Sequence, residues 1–402
     1  MRLQLTRRPL LPTTRLPWFL ASAFAAGVAT AAPAARAEGN VTAKVGAETS
    51  VFQDSNATTV FTPTLAAGLE SPTAGWGVNG RYLVDVVSAA SPDIVSTASR
   101  RWMEVRHAGN LGLRYKPGST GFAINGSTSY TPDYLSFSGS GTFTQDLDDK
   151  NLTLIASYGL GYDRIGKTGT PLSVFSRDFV YHMISAAVSR VVSSSTIFTV
   201  VGDLQLERGD QSKPYRFIPL FSPQDAGKIG AGASPDLVAN LRLQEKPLEQ
   251  LPLARERYAL TGRLATRFSS STLRLDERLY ADSWSMKGTT TDGRYMIDLG
   301  ERVTVWPHLR FHYQSPVDFW KLAYVSNGPT DIPKLRTGDR ELGQLINVGT
   351  GLGFRWALGS AGDKNAWVLT ATVDGVYTKF FEALYVTQRL SVLGVLNLEA
   401  TF

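Results

Sequence analysis

The chain has no cysteine, only four histidines, and beyond its N-terminal leader no apolar run long enough for a membrane-spanning helix. The missing cysteine excludes a disulfide framework, a thioether lipid anchor and a thiolate metal site. The scarcity of histidine leaves few general bases or metal ligands, and the missing apolar run leaves strands as the only way across a bilayer. Charge is not one-sided either. Five of the 41 Lys and Arg lie in the leader and none of the 35 Asp and Glu does, so the rest of the chain is close to neutral and nucleic acid is not implied.

The N-terminus reads as a secretory signal over 1–37. Arg2, Arg7, Arg8 and Arg15 precede the apolar run "WFLASAFAAGVATAA", and Ala35 and Ala37 form a small-x-small cleavage site. "TRRPLL" is close to a twin-arginine signal, but that route carries folded proteins and does not suit a barrel.

From residue 38 onward the chain alternates apolar and polar residues with period two. "VTAKVGAETSV" (Val41 to Val51), "WGVNGRYLVDV" (Trp76 to Val86), "LTLIASYGLGY" (Leu152 to Tyr162), "FTVVGDLQLE" (Phe198 to Glu207), "RYALTGRLATRF" (Arg257 to Phe268) and "WVLTATVDGVY" (Trp367 to Tyr377) each run about ten residues, the length of a tilted strand crossing a bilayer. The pattern predicts an all-β fold: a transmembrane antiparallel up-and-down β-barrel of about sixteen strands, within a range of roughly 14 to 18.

Loop lengths support it. Short joints such as "SPTAG", "PGST", "DDK", two "SSS" runs, Trp306–Pro307 and "GSAGDK" alternate with connections that are often long: 88–101, 164–177, 208–255 and 315–341. Short turns on one rim and long loops on the other are the outer-membrane arrangement. The last strand, "LGVLNLEATF", puts Gly394, Leu396, Leu398, Ala400 and Phe402 on one face, and Val395, Asn397, Glu399 and Thr401 on the other. It is expected to close a ring against Val41 to Val51, with Phe402 as the terminal aromatic that barrel-insertion machinery reads. The expected partners are therefore that machinery, outer-membrane lipid and small polar solutes. The expected location is the outer membrane of a Gram-negative bacterium.

Several segments together resemble a family of bacterial outer-membrane proteins, domain of unknown function 3570. They are "YLVDVVSAASPD" (Tyr82 to Asp93), "YTPDYLSFSGS" (Tyr130 to Ser140), "DDKNLTL" (Asp148 to Leu154), "RLYADSWSM" (Arg278 to Met286), "FHYQSPVDFW" (Phe311 to Trp320) and "TGDRELG" (Thr337 to Gly343). The family usually has a second acid where Ser283 stands and a Tyr-rich lead-in where "RFHY" stands. The resemblance implies the same barrel and no established activity.

Period-two parity assigns the lumen. The tenth to thirteenth strands turn inward Arg257, Arg263, Arg267, Arg274, Arg278, Arg294, Arg302 and Arg310, with Asp276, Asp282 and Asp298 among them and His308 and His312 beside them. Across the ring the expected inward charges are Glu48, Glu70, Asp85, Asp374 and Glu399, against Lys44 and Arg81. A basic wall facing an acidic one would lay a transverse field over a polar, anion-favouring pathway. The alternative is that these charges pair and fill the lumen, and Asp203 and Glu207 blur the segregation. Glu277 and Glu301 fall on the lipid-facing parity, where a carboxylate is costly, unless a bulge turns each inward.

The 208–255 connection holds "FIPLF" and "ASPDLVANLRLQ", the latter with a helix-capping pattern at Ser234 or Asp236. It is expected to serve either as a constriction or plug or as an outer contact surface. The aromatics of "YTPDYLSF" fit an interfacial girdle better than a ligand site. A porin-like channel is thus the first expectation and a surface-interaction barrel the second. A membrane hydrolase comes third, because His182 and Ser185 are three apart on a strand and face opposite ways. No catalytic residue, cofactor or metal site is expected. His308 and His312 share a face but lack a nearby acid triad.

Overall fold

The computed structural model describes residues 41–89, 102–167, 169–328, 330–359 and 366–402. The leader expected over 1–37, most of the 88–101 loop and most of the "GSAGDK" turn lie outside the described residues. Sixteen strands close an antiparallel barrel: β1 (Thr42–Asp54), β2 (Thr58–Ser71), β3 (Trp76–Ala89), β4 (Trp102–Tyr115), β5 (Thr120–Thr131), β6 (Tyr134–Leu147), β7 (Leu152–Ile165), β8 (Arg177–Ser193), β9 (Thr196–Gly209), β10 (Ala254–Arg267), β11 (Ser271–Asp282), β12 (Lys287–Leu299), β13 (Val303–Gln314), β14 (Leu345–Leu358), β15 (Ala366–Phe380) and β16 (Gln388–Thr401). Each pairs with its sequence neighbour, and β16 pairs with β1 from Lys44↔Thr401 to Asp54↔Ser391. Phe402 and Ala43 exchange backbone hydrogen bonds at 2.9 and 3.1 Å, so no edge is left open where the ends meet.

The outward face is apolar. Leu65, Leu69, Val78, Leu111, Ile124, Phe137, Leu160, Ile184, Leu260, Leu279, Leu309, Leu352, Val373 and Leu396 are all exposed, a continuous belt that only lipid would cover. Among the described residues no helix is long and apolar enough to cross a membrane. Trp367 stacks edge-on against Phe402 at 6.4 Å on the short-turn rim, where Tyr115, Phe122 and Trp356 also face out, as an interfacial girdle requires. Polar groups on this face are satisfied within the wall. The Tyr82 hydroxyl meets His107 Nδ1 at 2.7 Å, and the Tyr158 hydroxyl meets His182 Nδ1 at 2.8 Å.

The short turns differ from expectation in one place. Trp306 and Pro307 lie inside β13, and the turn before it falls at Gly300, whose φ of +73° suits a residue without Cβ. Pro307 pairs with Leu352 of β14, while its pairing toward β12 is interrupted between Arg294↔His308 and Ile297↔Val305. The missing N–H therefore falls at a gap in the ladder. Pro63 repeats the device: β2–β3 pairing is interrupted between Phe61↔Val86 and Thr64↔Leu83, and the Thr62 hydroxyl donates to Asp85 at 2.5 Å across the gap. With β12 ending at Leu299 and β13 beginning at Val303, Glu301 and Arg302 sit in the turn rather than on a strand. Glu277 faces outward with no bulge in its ladder, and the hydroxyls of Thr289 and Thr291 cap its carboxylate.

The apolar core lies in the long loops and the strand ends beneath them, not in the barrel lumen. Segments 210–253 and 315–344, together with 283–286 and 381–387, fold into one cap. Leu251, Trp284, Met286, Val317 and Phe319 form one buried cluster, and Phe221, Ile229, Ala233 and Val238 form a second. Leu345, Phe380, Ala383 and Val386 make a third, and Ile218, Leu220 and Tyr324 a fourth. Two-residue strands, Leu220–Phe221 and Tyr324–Val325, pair in parallel between the two long segments. Two helices, α1 (Pro223–Ala226) and α2 (Pro235–Leu241), start on Ser222 and Ser234, so of the two caps the sequence offered Ser234 is the one used and Asp236 lies in the first turn. At one side the Tyr215 hydroxyl donates to Asp133 Oδ2 (2.5 Å) in the β5–β6 turn. At the other, Gly232 N–H donates to Ala383 O (2.8 Å) and Trp320 Nε1 to Glu382 O (3.1 Å) in the β15–β16 loop. Segment 210–253 arises between β9 and β10, so these anchors to the β5–β6 turn and the β15–β16 loop carry the cap across the mouth.

Candidate functional site

Inward side chains need room, and glycines on the same face supply it. On β14, Gly349, Gly351 and Gly353 all face the lumen. A Cβ on Gly351 would stand 2.0 Å from Asp374 Oδ1, and one on Gly353 would stand 1.8 Å from Trp306 Cε2. Asp374 and Trp306 therefore lie flat over bare backbone of the neighbouring strand instead of projecting into the lumen. Tyr181 covers Gly161 in the same way.

Arg302 lies in the turn after β12, but the charges expected in the lumen that sit on strands fall on the inward face, and most have partners on their own wall. Arg257 Nε meets Glu207 at 2.8 Å, Arg278 Nη1 meets Asp203 at 2.8 Å, Arg267 Nη1 meets Asp298 at 2.5 Å and Arg263 Nε meets Asp276 at 3.6 Å. His308 bridges two carboxylates, with Nε2 2.9 Å from Asp292 and Nδ1 2.6 Å from Asp374. Arg310 (3.3 Å) and Arg294 (3.5 Å) share Asp292 with it. His312 stands beside it, Nδ1 2.7 Å from the Thr290 hydroxyl. Opposite, Lys44 (2.8 Å) and Arg114 both hold Glu70, Arg81 holds Glu48 at 2.8 Å and Arg106 Nε holds Asp85 at 2.6 Å. Glu399 lines a cleft of about 420 Å³ with Lys44, Glu70, Arg81 and Arg114. Arg106 and Arg114 thus stand on the wall expected to be acidic, and local pairing replaces a clean division of sign.

Asp282 is not a pathway charge. Its side chain is fully buried at the foot of the cap, where it accepts from Arg255 Nε (2.9 Å), Tyr280 (2.8 Å), and the N–H groups of Trp284 (2.9 Å) and Met286 (3.0 Å). Arg255, expected as the end of a loop, lies on β10, and its guanidinium stacks on Trp284 at 4.1 Å. Asp292 escaped sequence reasoning, although it lies well inside β12 (Lys287–Leu299). Its even-number parity with Arg294 and Asp298 was the available signal. Ser185 turns inward to Asp203 at 2.8 Å while His182 turns outward, so the two do not meet. Among the described residues no group of three or more His, Asp or Glu converges on a metal position.

On β10–β13 eight inward arginines (Arg255, Arg257, Arg263, Arg267, Arg274, Arg278, Arg294 and Arg310) share the wall with four aspartates (Asp276, Asp282, Asp292 and Asp298). The lumen has space for water. Inside a closed ring the side chains of Arg263 (56 % exposed), Arg114 (55 %), Arg310 (51 %) and Arg267 (50 %) are half accessible. A barrel of about sixteen strands is wide enough for this, whereas one of about eight is filled by its own side chains.

Several solved structures share the fold at low identity. The TodX deltaS2S3 mutant monoaromatic hydrocarbon channel is 8 % identical, with 91 % of each chain covered and a TM-score of 0.41. OccK5 of Pseudomonas aeruginosa is 11 % identical, covering 90 % of this chain and 98 % of that one, TM-score 0.41. The siderophore receptor PirA of Acinetobacter baumannii is 12 % identical over 86 % of this chain, TM-score 0.40, and this chain spans about half of its length, 53 %. These are likenesses of fold alone. No curated protein matches the sequence. The family described as Protein of unknown function (DUF3570) matches residues 26–373. That match over most of the sequence makes this chain a member of the DUF3570 family, and its fold is a closed antiparallel barrel with an apolar outer belt and a charged inner wall.

Proposed function

We propose that this barrel is a channel for small polar solutes, with a preference for anions. The observation that carries the reading is the half-exposed arginines inside a closed ring, because exposed inward charge requires a water-filled lumen. Arg274, with no ion-pair partner among the described residues, and the loosely paired Arg263 and Arg294 support the sign of the preference. The long-loop rim faces the cell exterior in this reading, and the cap restricts the mouth there. An enzymatic role finds no support in the placement of His182 and Ser185.

The test is single-channel conductance of the refolded chain in a planar bilayer, first in symmetric and then in asymmetric salt. Discrete steps whose reversal potential reports anion preference are the expected result. Silence from a barrel that shows heat-modifiable migration overturns the reading.

The folded cap favours one second reading, a surface for outside partners. Deleting 213–250 separates the two. A channel gains conductance, whereas a docking surface loses its partner with the conductance unchanged.

A further inference from the structure

The short-turn half of the lumen contains an arrangement that ion pairing does not explain. Arg274 of β11 and Arg294 of β12 are direct cross-strand partners on the inward face, so two arginines stand side by side. Like charges directly opposite each other destabilise a sheet. Arg263 of β10 reaches the same place, its register partner Asp276 standing two residues from Arg274. All three arginines line one cleft of about 330 Å³ with Thr199, Asp276 and Asp292.

The two acids do not neutralise them. Arg263 touches Asp276 only at 3.6 Å and through Nε, Arg294 touches Asp292 only at 3.5 Å and through Nε, and Asp292 is already engaged by His308 and Arg310. Arg274 has no ion-pair partner among the described residues. The cleft thus sets three arginines (Arg263, Arg274 and Arg294) against two aspartates, one of which is shared with Arg310 and His308, and positive charge is in excess. The terminal nitrogens of Arg263, Arg274 and Arg294 are left to face water. Guanidinium forks present paired donors that match the oxygens of an oxyanion.

We propose that this cleft is a binding site for a dianionic oxyanion of the phosphate type, held by Arg263, Arg274 and Arg294. The ligand supplies negative charge that the cleft lacks and relieves the Arg274–Arg294 opposition. The site deepens the channel reading by naming the class of solute its wall would select, and it rests on that reading only for the step of passage.

The probe is inorganic phosphate, titrated at constant ionic strength near pH ~8, where it is mainly dianionic. In the bilayer, phosphate should reduce the chloride current of the full chain. Arg274→Gln and Arg294→Gln, each confirmed folded by heat-modifiable migration, should raise the half-blocking concentration about tenfold or more. A current indifferent to phosphate overturns the site and leaves the channel standing. A block that weakens equally in Arg106→Gln, on the far wall, is general screening and also overturns it. If the chain passes no current, calorimetric titration of phosphate into the detergent-solubilised barrel decides. Heat that vanishes in Arg274→Gln keeps the site and removes the channel, and no heat in the unaltered chain removes both.

Discussion

Asp374 lies across Gly351, and by doing so its carboxylate reaches His308 Nδ1 at 2.6 Å on the strand beyond. The bridge from β15 to β13 over β14 therefore depends on a missing side chain. Gly351→Ala would place a methyl 2.0 Å from Asp374 Oδ1 and 2.7 Å from Val373 O, and the backbone atom cannot swing away. We expect a loss of about 1–3 kcal/mol, the usual cost of overpacking. Gly394→Ala, with nothing within 4 Å of the added carbon, should escape that steric cost. Urea unfolding of the two variants in lipid vesicles measures the difference, and equal midpoints would show that Asp374 is free to move.

The cap should come apart without the barrel. Phe221 is fully buried in it and contacts no membrane strand through its cluster of Ile229, Ala233 and Val238. Phe221→Ala should cost about 3–5 kcal/mol, the usual range for a large buried aromatic. Trypsin should then cut at Arg216, Lys228 or Arg242 while heat-modifiable migration persists. Loss of both together would mean that cap and barrel form one cooperative unit.

The parts that were legible in the sequence are those with a period. Alternation placed Arg263, Arg278, Glu48 and Asp85 on the lumen side, because a strand offers only two faces. The closing pair of β16 and β1 was legible for the same reason. Pro307 misled because a proline in a strand interior normally ends it, and only the paired geometry reveals the gap that tolerates it. The cap was not legible. Its contacts, such as Trp284 on Phe319 at 5.5 Å, join segments far apart in sequence with no repeat to announce them. Ser234 was the exception, since a helix cap is a local signal. "GTGLGFR" stood in plain view on β14, but the purpose of its glycines appears only once Trp306 and Asp374 lie over them.

Acid should loosen the cap. Arg216 of one long segment clamps Glu249 and, at 3.1 Å, Asp339 of the other. Burial pushes the Asp339 carboxyl up, but the Arg216 guanidinium and the hydrogen bonds outweigh it and hold the carboxyl below its ordinary range. A carboxyl whose pKa is depressed on folding stabilises the fold above its unfolded value and loses that contribution as pH falls through the folded value. The cap should therefore resist pepsin down to about pH 4, the unperturbed carboxyl value, and become cleavable below it. Asp339→Asn should be cleavable at the higher pH as well. Equal resistance of both proteins down to about pH 3 would show that this clamp does not hold the cap.

Glu277 provides the last test, and it concerns the membrane itself. Its carboxylate faces outward near the middle of β11, satisfied by Thr289 and by Thr291 at 2.5 Å. Those hydroxyls replace the water that lipid denies it, yet an acid on the lipid face of a barrel is still a net cost. Glu277→Leu exchanges that cost for apolar surface and leaves the threonines free to bond backbone carbonyls. It should stabilise the barrel by up to about 2 kcal/mol in lipid vesicles. Urea unfolding in vesicles reads it directly. Destabilisation by the same substitution would mean that the carboxylate meets a polar partner in the membrane, and the outer wall around β11 and β12 would then be a contact surface rather than a lipid face.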